Sequence, residues 1–240
     1  MNSKMFTYAH LFLLSIATVG FLPFILFQYQ EKHPNLRKVV INENNKTKRI
    51  AVLSVFMAKS LPTWFDLFAI TVGNNQKYID WFIFTLENVS VSIPHLPMNI
   101  DIIPLTSTKL SHVLGMVDVD YRVAHAKGNV TYTAEVRDIV QNILERFPYV
   151  LVEFKPALGD LFLPYIEQYG YFAYADMDIL LGDWNAVAWS RVLREHHIVT
   201  LTFGDHYSLY LRGQMTIFRN THAMRTLYRK CPHLTHFRAR

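Results

Sequence analysis

The chain has 240 residues, 51% of them apolar and 18% charged, with a net charge of +5 and one cysteine, Cys231. This composition excludes a disordered polypeptide and a disulfide scaffold, because the apolar share can fill a sizeable core and one thiol cannot close an intrachain bridge. The positive charge gathers toward the C-terminus, on Arg219, Arg225, Arg229, Lys230, Arg238 and Arg240; a solvated helix face and attraction to anionic phosphates both fit it, and without a zinc-finger, RNP or helix-turn-helix pattern no nucleic-acid partner is expected.

The first element is the uncharged run "LFLLSIATVGFLPFILF", residues 11–27. As a helix it would be roughly 26 Å long, near the thickness of the hydrocarbon core. A cleaved signal peptide would have a shorter apolar stretch and a small-x-small site after it; here "QYQEKHP" follows. The expectation is therefore a transmembrane signal-anchor over 11–27, with residues 1–10 as a short cytoplasmic tail and the polar segment 28–49 as a stem. Lys4 before the run is outnumbered by Lys32, Arg37 and Lys38 after it, which favours a cytoplasmic C-terminal side, but that rule weakens for a long following domain. Three sequons, at Asn45, Asn88 and Asn129, point instead to glycosylation in a lumen. The topology expected is single-pass type II, facing the Golgi or ER lumen if the source is a eukaryote.

From residue 49 the pattern changes. "RIAVLSVF" (49–56) is a β-branched apolar run with the character of a buried strand. A helix over 61–75 follows, with Leu67, Phe68, Ile70 and Thr71 on one side and Gly73-Asn74 as its stop. "IDWFIFTL" (79–86) and "NIDIIPL" (99–105) are further strands. Residues 133–147 have helical period, with Val136, Ile139, Val140, Ile143 and Leu144 on a shared face. Pro156 starts another helical stretch, Pro164 breaks it and Gly170 ends it. "YFAYADMDILLGD" (171–183) reads as a strand, 187–195 as a helix, 198–203 and 214–220 as strands, and a last helix begins at Thr221. Strands alternating with helices define an α/β domain over 50–240 with a mostly parallel sheet.

Two like charges interrupt the most apolar of these strands: Asp176 and Asp178, one residue apart. In an extended chain both carboxylates point to one side, and desolvated together they cost several kcal/mol unless something pairs them. Ligand sites of open α/β sheets lie at the carboxyl ends of strands. A hard divalent cation there resolves the conflict, with Mg²⁺, Mn²⁺ or Ca²⁺ suited to carboxylate oxygens. Such a cation can grip a diphosphate and neutralise the charge that develops as it leaves. D-x-D alone is a weak motif. A second instance, "VDVD" with Asp118 and Asp120, has no aromatic strand before it and reads as a surface turn.

With its context, the 176–178 pair resembles a family of glycosyltransferases. The residues that carry this are "EFKPALGDLFLPYIEQYGYFAYADMDILLGD" (153–183), "RGQMTIFRN" (212–220) and the opening segment 51–86, with its "LPTWF" helix and "IDW" strand. The resemblance spans roughly residues 50–225. It implies a GT-A-like, Rossmann-like nucleotide-sugar-binding domain that moves a sugar from a UDP- or GDP-sugar to a glycan, lipid or protein acceptor. Carried over, Asp176 and Asp178 would meet Mn²⁺ or Mg²⁺ and the nucleotide diphosphate. Glu153 and Lys155 would be the family's acidic-x-Lys-Pro pair, and Ser54 and Phe56 would lie near the base. From the residues alone, Lys155 also reads as a solvated lysine ahead of a Pro-initiated helix, and Ser54 and Phe56 as core.

Two departures accompany the resemblance. The second strand ends "FTLEN", where such enzymes commonly carry an aspartate; Leu86 cannot replace it and Glu87 is the nearest acid. The chain also ends about twenty residues after "TIFRN", so a domain shortened at its C-terminus is expected, with His222, His233 and His236 as remaining candidates for a further ligand. The catalytic base is unassigned. Two alternatives stay open: an inactive relative that binds a nucleotide-sugar or a glycan, and a D-x-D phosphohydrolase, although a hydrolase of the haloacid-dehalogenase kind would place the motif on its first strand.

Overall fold

The computed structural model describes residues 24–27, 47–58, 60–87, 89, 95–201 and 211–231. Strands β1 (Phe24–Phe27), β2 (Thr47–Phe56), β3 (Ile79–Leu86), β4 (Ile100–Leu105), β5 (Tyr169–Ala175), β6 (Ile198–Leu201) and β7 (Met215–Arg219) form one sheet in the order β1-β6-β7-β5-β2-β3-β4. The block β5-β2-β3-β4 is parallel throughout. On its β5 side, β7, β6 and β1 extend the sheet antiparallel. The α/β class and the parallel centre agree with the sequence pattern. The reversal of β7 was not legible there, since periodicity sets a strand's faces and says nothing of its direction.

Helices cover both faces, and the central strands accordingly carry apolar residues at consecutive positions. Ala51, Leu53, Phe82, Phe84, Phe172 and Tyr174 point to one side. There they meet the helices α2 (Ser107–Gly115), α3 (Val119–Ala126) and α4 (Val130–Arg146) and the short turns between 151 and 166. Phe84 stacks on Phe162, ring centroids 3.7 Å apart. Ile50, Val52, Trp81, Ile83, Ala173 and Ile217 point to the other side, under α1 (Phe65–Gly73) and α5 (Trp189–Glu195). These faces are called A and B below.

Three expectations need correction. The buried side of α1 is Phe65, Phe68, Ala69 and Val72, while Leu67 and Ile70 are exposed. In α4, Val136, Val140 and Leu144 are buried and Ile139 and Ile143 are exposed. Each helix buries a stripe narrower than its apolar arc. Third, "VDVD" is no surface turn. Asp118 is 2% exposed and caps α3, its Oδ1 accepting from Tyr121 N at 2.8 Å, as a residue preceding an orphaned first turn does.

Among the described residues no helix is long and apolar enough to cross a membrane. Of the expected anchor, residues 24–27 form the edge strand β1 and the rest lie outside the described residues. Asn45, Asn88, His233 and His236 also lie outside them. Asn129 is exposed at the start of α4, where its side chain accepts from Tyr132 N at 3.1 Å.

Candidate functional site

Strand β5 ends at Ala175, so the motif aspartates stand just past its carboxyl end. The backbone holds that point from two neighbours. Asp176 N donates to Gln214 O at 3.1 Å, where the chain enters β7. The Ala175 carbonyl accepts from Ser54 Oγ at 2.7 Å, and Ser54 Oγ accepts in turn from Trp81 Nε1 at 2.9 Å. A buried hydroxyl between an indole donor and a carbonyl acceptor is satisfied as both donor and acceptor. Ser54 therefore fixes the end of β5 from inside the sheet and is 3% exposed.

The defining contact joins two residues 21 positions apart. Lys155 Nζ lies 2.5 Å from Asp176 Oδ1 and donates to Gly213 O at 3.0 Å. The lysine side chain is 13% exposed and the aspartate 35%. Burying an ammonium is costly unless it is paired, so this lysine is no solvated residue ahead of a helix. Gly213 fits the arrangement. A Cβ there would sit 3.2 Å from Lys155 Nζ and 3.8 Å from Asp176 Oδ2, so a side chain at 213 would crowd the pair.

Asp178 differs from its neighbour. Its side chain stands at the surface. Partial burial and then the charge of Asp176 push its carboxyl above the usual range, against a weaker pull from Lys155. The two carboxylates and one ammonium leave the group with net charge −1. Among the described residues no cluster of three His, Cys, Asp or Glu side chains could hold a metal ion. Any cation here would use the free oxygens of Asp176 and Asp178 and take its remaining ligands from solvent or substrate, as Mg²⁺ commonly does.

The other sequence candidates fall around this point unevenly. Phe56 ends β2 and packs partly buried on face B, whereas Asp176 and Lys155 lie on the face A side, in register with Tyr174. Glu153 is exposed on the turn before Lys155. His222 is far away. It follows β7, which runs opposite to β5, with Arg219 paired to Tyr171 and Met215 to Ala175. The five steps from Tyr171 to Asp176 span roughly 17 Å, so His222 lies at the wrong end of the sheet to share a cation with the aspartates.

The same reversal explains "TIFRN". Asn220 Nδ2 donates to Ile166 O at 2.7 Å and Tyr169 O at 2.8 Å, its N to Gly170 O at 2.8 Å, and its Oδ1 accepts from Arg225 Nη1 at 2.6 Å. Arg219 Nη2 donates to Leu193 O and Arg194 O at the end of α5. This motif fastens the far end of the sheet. The part of "RGQMTIFRN" beside the aspartates is Gly213 and Gln214, both acting through backbone atoms, which leave no residue-type signature in a sequence except the glycine.

A second residue missed by sequence reasoning is Asn75, which follows the Gly73-Asn74 helix stop. It is 2% exposed. Its Nδ2 donates to Gly182 O at 2.9 Å, and its Oδ1 accepts from Trp184 N at 3.0 Å. It thereby clamps the segment after Asp178 to the end of α1, with Trp184 and Trp189 packed beneath (centroids 4.4 Å apart).

The pattern of a family of unknown function (DUF6625) matches residues 116–238. That stretch contains Lys155, Asp176, Asp178 and Gly213. No curated protein and no solved structure matches the chain.

Proposed function

Because the chain belongs to a family of unknown function, DUF6625, its role has to be argued from the site, and we propose that it is a metal-dependent glycosyltransferase with a GT-A-like domain. One observation carries the reading. The strand order reverses between β2 and β5, since β3 and β4 follow β2 on one side and β5 flanks it on the other. Open α/β sheets bind ligands in the crevice at the carboxyl ends of such strands, and Asp176, Asp178 and Lys155 stand at that point.

Each residue then has a role. Asp178 and the free oxygen of Asp176 hold Mn²⁺ or Mg²⁺ against the diphosphate of a UDP- or GDP-sugar. The cation offsets the charge that builds on the leaving diphosphate. Lys155 holds Asp176 in place and supplies a second positive charge beside the phosphates. Ser54 sets the end of β5, while Phe56, on face B, and Glu153, exposed ahead of Lys155, are left without a contact to the donor. The acceptor is a glycan, lipid or protein, delivered to a domain carried by a type II anchor in the part of the run 11–27 that precedes β1, in the Golgi or ER lumen of a eukaryote. An inactive nucleotide-sugar-binding relative would use the same contacts and differ only in turnover.

A thermal-shift panel of UDP-, GDP- and ADP-sugars, with and without Mn²⁺, tests the reading. The expected result is a rise in Tm with one nucleotide class that requires both the sugar nucleotide and the metal. No rise with any donor sinks it. Release of nucleoside diphosphate in the presence of acceptor then separates the enzyme from the inactive binder. Resistance to carbonate extraction tests the anchor, and a mobility shift on glycosidase treatment tests the sequons.

A further inference from the structure

A second polar concentration lies on the outer side of the helix layer over face A. There α2, α3 and the turns Leu158–Leu161 and Leu227–Lys230 border a cavity of about 180 Å³. One wall is apolar, made by Val113, Met116 and Leu161; the other carries His112, Arg122, Asp160 and Arg229. The volume is that of about six waters, room for one small organic molecule.

The charges do not balance. Asp160 Oδ2 accepts from Arg229 Nη2 at 2.5 Å and from Tyr228 OH at 2.7 Å, so this acid is matched to Arg229. Arg122 has no carboxylate partner among the described residues. Its Nη1 donates to Met116 O at 2.9 Å and Val117 O at 3.2 Å, and lies 3.4 Å from Tyr228 OH. Asp118, the N-cap of the same helix, accepts from Tyr121 N. The carbonyl contacts fix the guanidinium plane and leave Nε and Nη2 without a hydrogen-bond partner among the described residues. Arg137 adds positive charge close to His112 and Tyr121. His112 Nδ1 is engaged with Tyr121 OH at 2.6 Å, leaving Nε2 for a ligand.

A fixed guanidinium with its fork unpaired is suited to bidentate recognition of an oxyanion. We propose that this cavity binds a small organic anion, its carboxylate or phosphate on Arg122 and its apolar part on Val113, Met116 and Leu161. The site is separate from the aspartate site and does not depend on the reading given to it.

Benzoate and inorganic phosphate, each against chloride at equal ionic strength, are the probes, with Tm and calorimetric affinity measured on the full chain. The expected result is a rise in Tm with at least one of them. R122Q should weaken binding at least about tenfold, since it loses the charge and the fork. M116W, which alters no charge, should abolish binding by filling the cavity. D178N should leave it intact. Preference for benzoate identifies a carboxylate ligand with an apolar body, and preference for phosphate identifies a phosphate ester. The proposal is overturned if neither anion acts beyond chloride, if both R122Q and M116W respond like wild type, or if D178N removes the effect. Should R122Q fail to fold, M116W alone decides.

Discussion

Lys155 Nζ and Asp176 Oδ1 lie 2.5 Å apart, and this pairing makes the two motif aspartates unequal. Asp176 is part of a half-buried ion pair, whereas Asp178 stands at the surface with its carboxyl pushed up by partial burial and by Asp176. A raised carboxyl pKa means that ionised Asp178 costs stability above its unfolded value, and that cost is relieved as pH falls through the folded value. Asp178→Asn should therefore leave unfolding stability unchanged or slightly raised at pH 7. Asp176→Asn strands a buried ammonium and should cost about 1–3 kcal/mol. Both should abolish stabilisation by Mn²⁺ plus sugar nucleotide. Urea titrations of the two variants with and without ligand check this, and equal costs for the two would contradict the pairing. Asp120→Asn is the neutral control, because Asp118 is a buried helix cap.

Asn220 belongs to a motif that carries the resemblance, yet its side-chain hydrogen bonds to Ile166, Tyr169 and Arg225 lie at the end of β5 opposite the aspartates. Asn220→Ala removes side-chain bonds to two buried carbonyls and to Arg225, and should cost about 2–4 kcal/mol. The affinity for sugar nucleotide should be unchanged in the fraction that remains folded. A variant of native stability with lost nucleotide binding would place Asn220 in the site after all.

Gly159 packs against the middle of β5. A Cβ there would lie 2.3 Å from Phe172 Cε2, in a ring that is 1% exposed and stacked on Phe218. Neither partner can withdraw, so Gly159→Ala should lose about 1–3 kcal/mol or more by overpacking. Gly182→Ala, with nothing within 4 Å of the new methyl, should change stability by less than about 0.5 kcal/mol. Denaturation midpoints of the pair give the comparison directly.

At the amino end of β5, Tyr169 OH donates to Asp80 Oδ2 at 3.0 Å, and Asp80 pairs with Arg49. Burial, and then the Asp80 charge, push the Tyr169 hydroxyl up to about 12. The folded value exceeds the unfolded one, so this contribution is complete below pH 10 and is lost as pH rises toward 12. Stability should fall over that window by about 1.4 kcal/mol per pH unit for this group. In Tyr169→Phe the slope should be shallower by that amount, beneath a loss of about 1 kcal/mol at pH 7 from the missing hydrogen bond. An unaltered alkaline slope in the variant would show that Tyr169 ionises like an ordinary tyrosine.

The sequence by itself determined the α/β class, the bounds of β3 to the residue, and the place of the aspartates at a strand end. These follow from local rules: apolar runs of strand length, helical period, and the cost of like charges at positions i and i+2. It left α2 and α3 unseen, though Thr106 and Asp118 are good N-caps, since helices of nine and eight residues are too short to show a sustained apolar period and a cap alone is a weak signal. Only the tertiary structure decided which aspartate is paired, because Lys155 and Asp176 are 21 residues apart and meet through the packing of the 151–166 turns on β5. It alone decided that "TIFRN" and His222 are remote from the aspartates, since that rests on the antiparallel direction of β7. A side-chain period of two is the same read forwards or backwards, so strand direction is set by which neighbour's hydrogen-bonding edge the chain meets, and that is a property of the folded sheet.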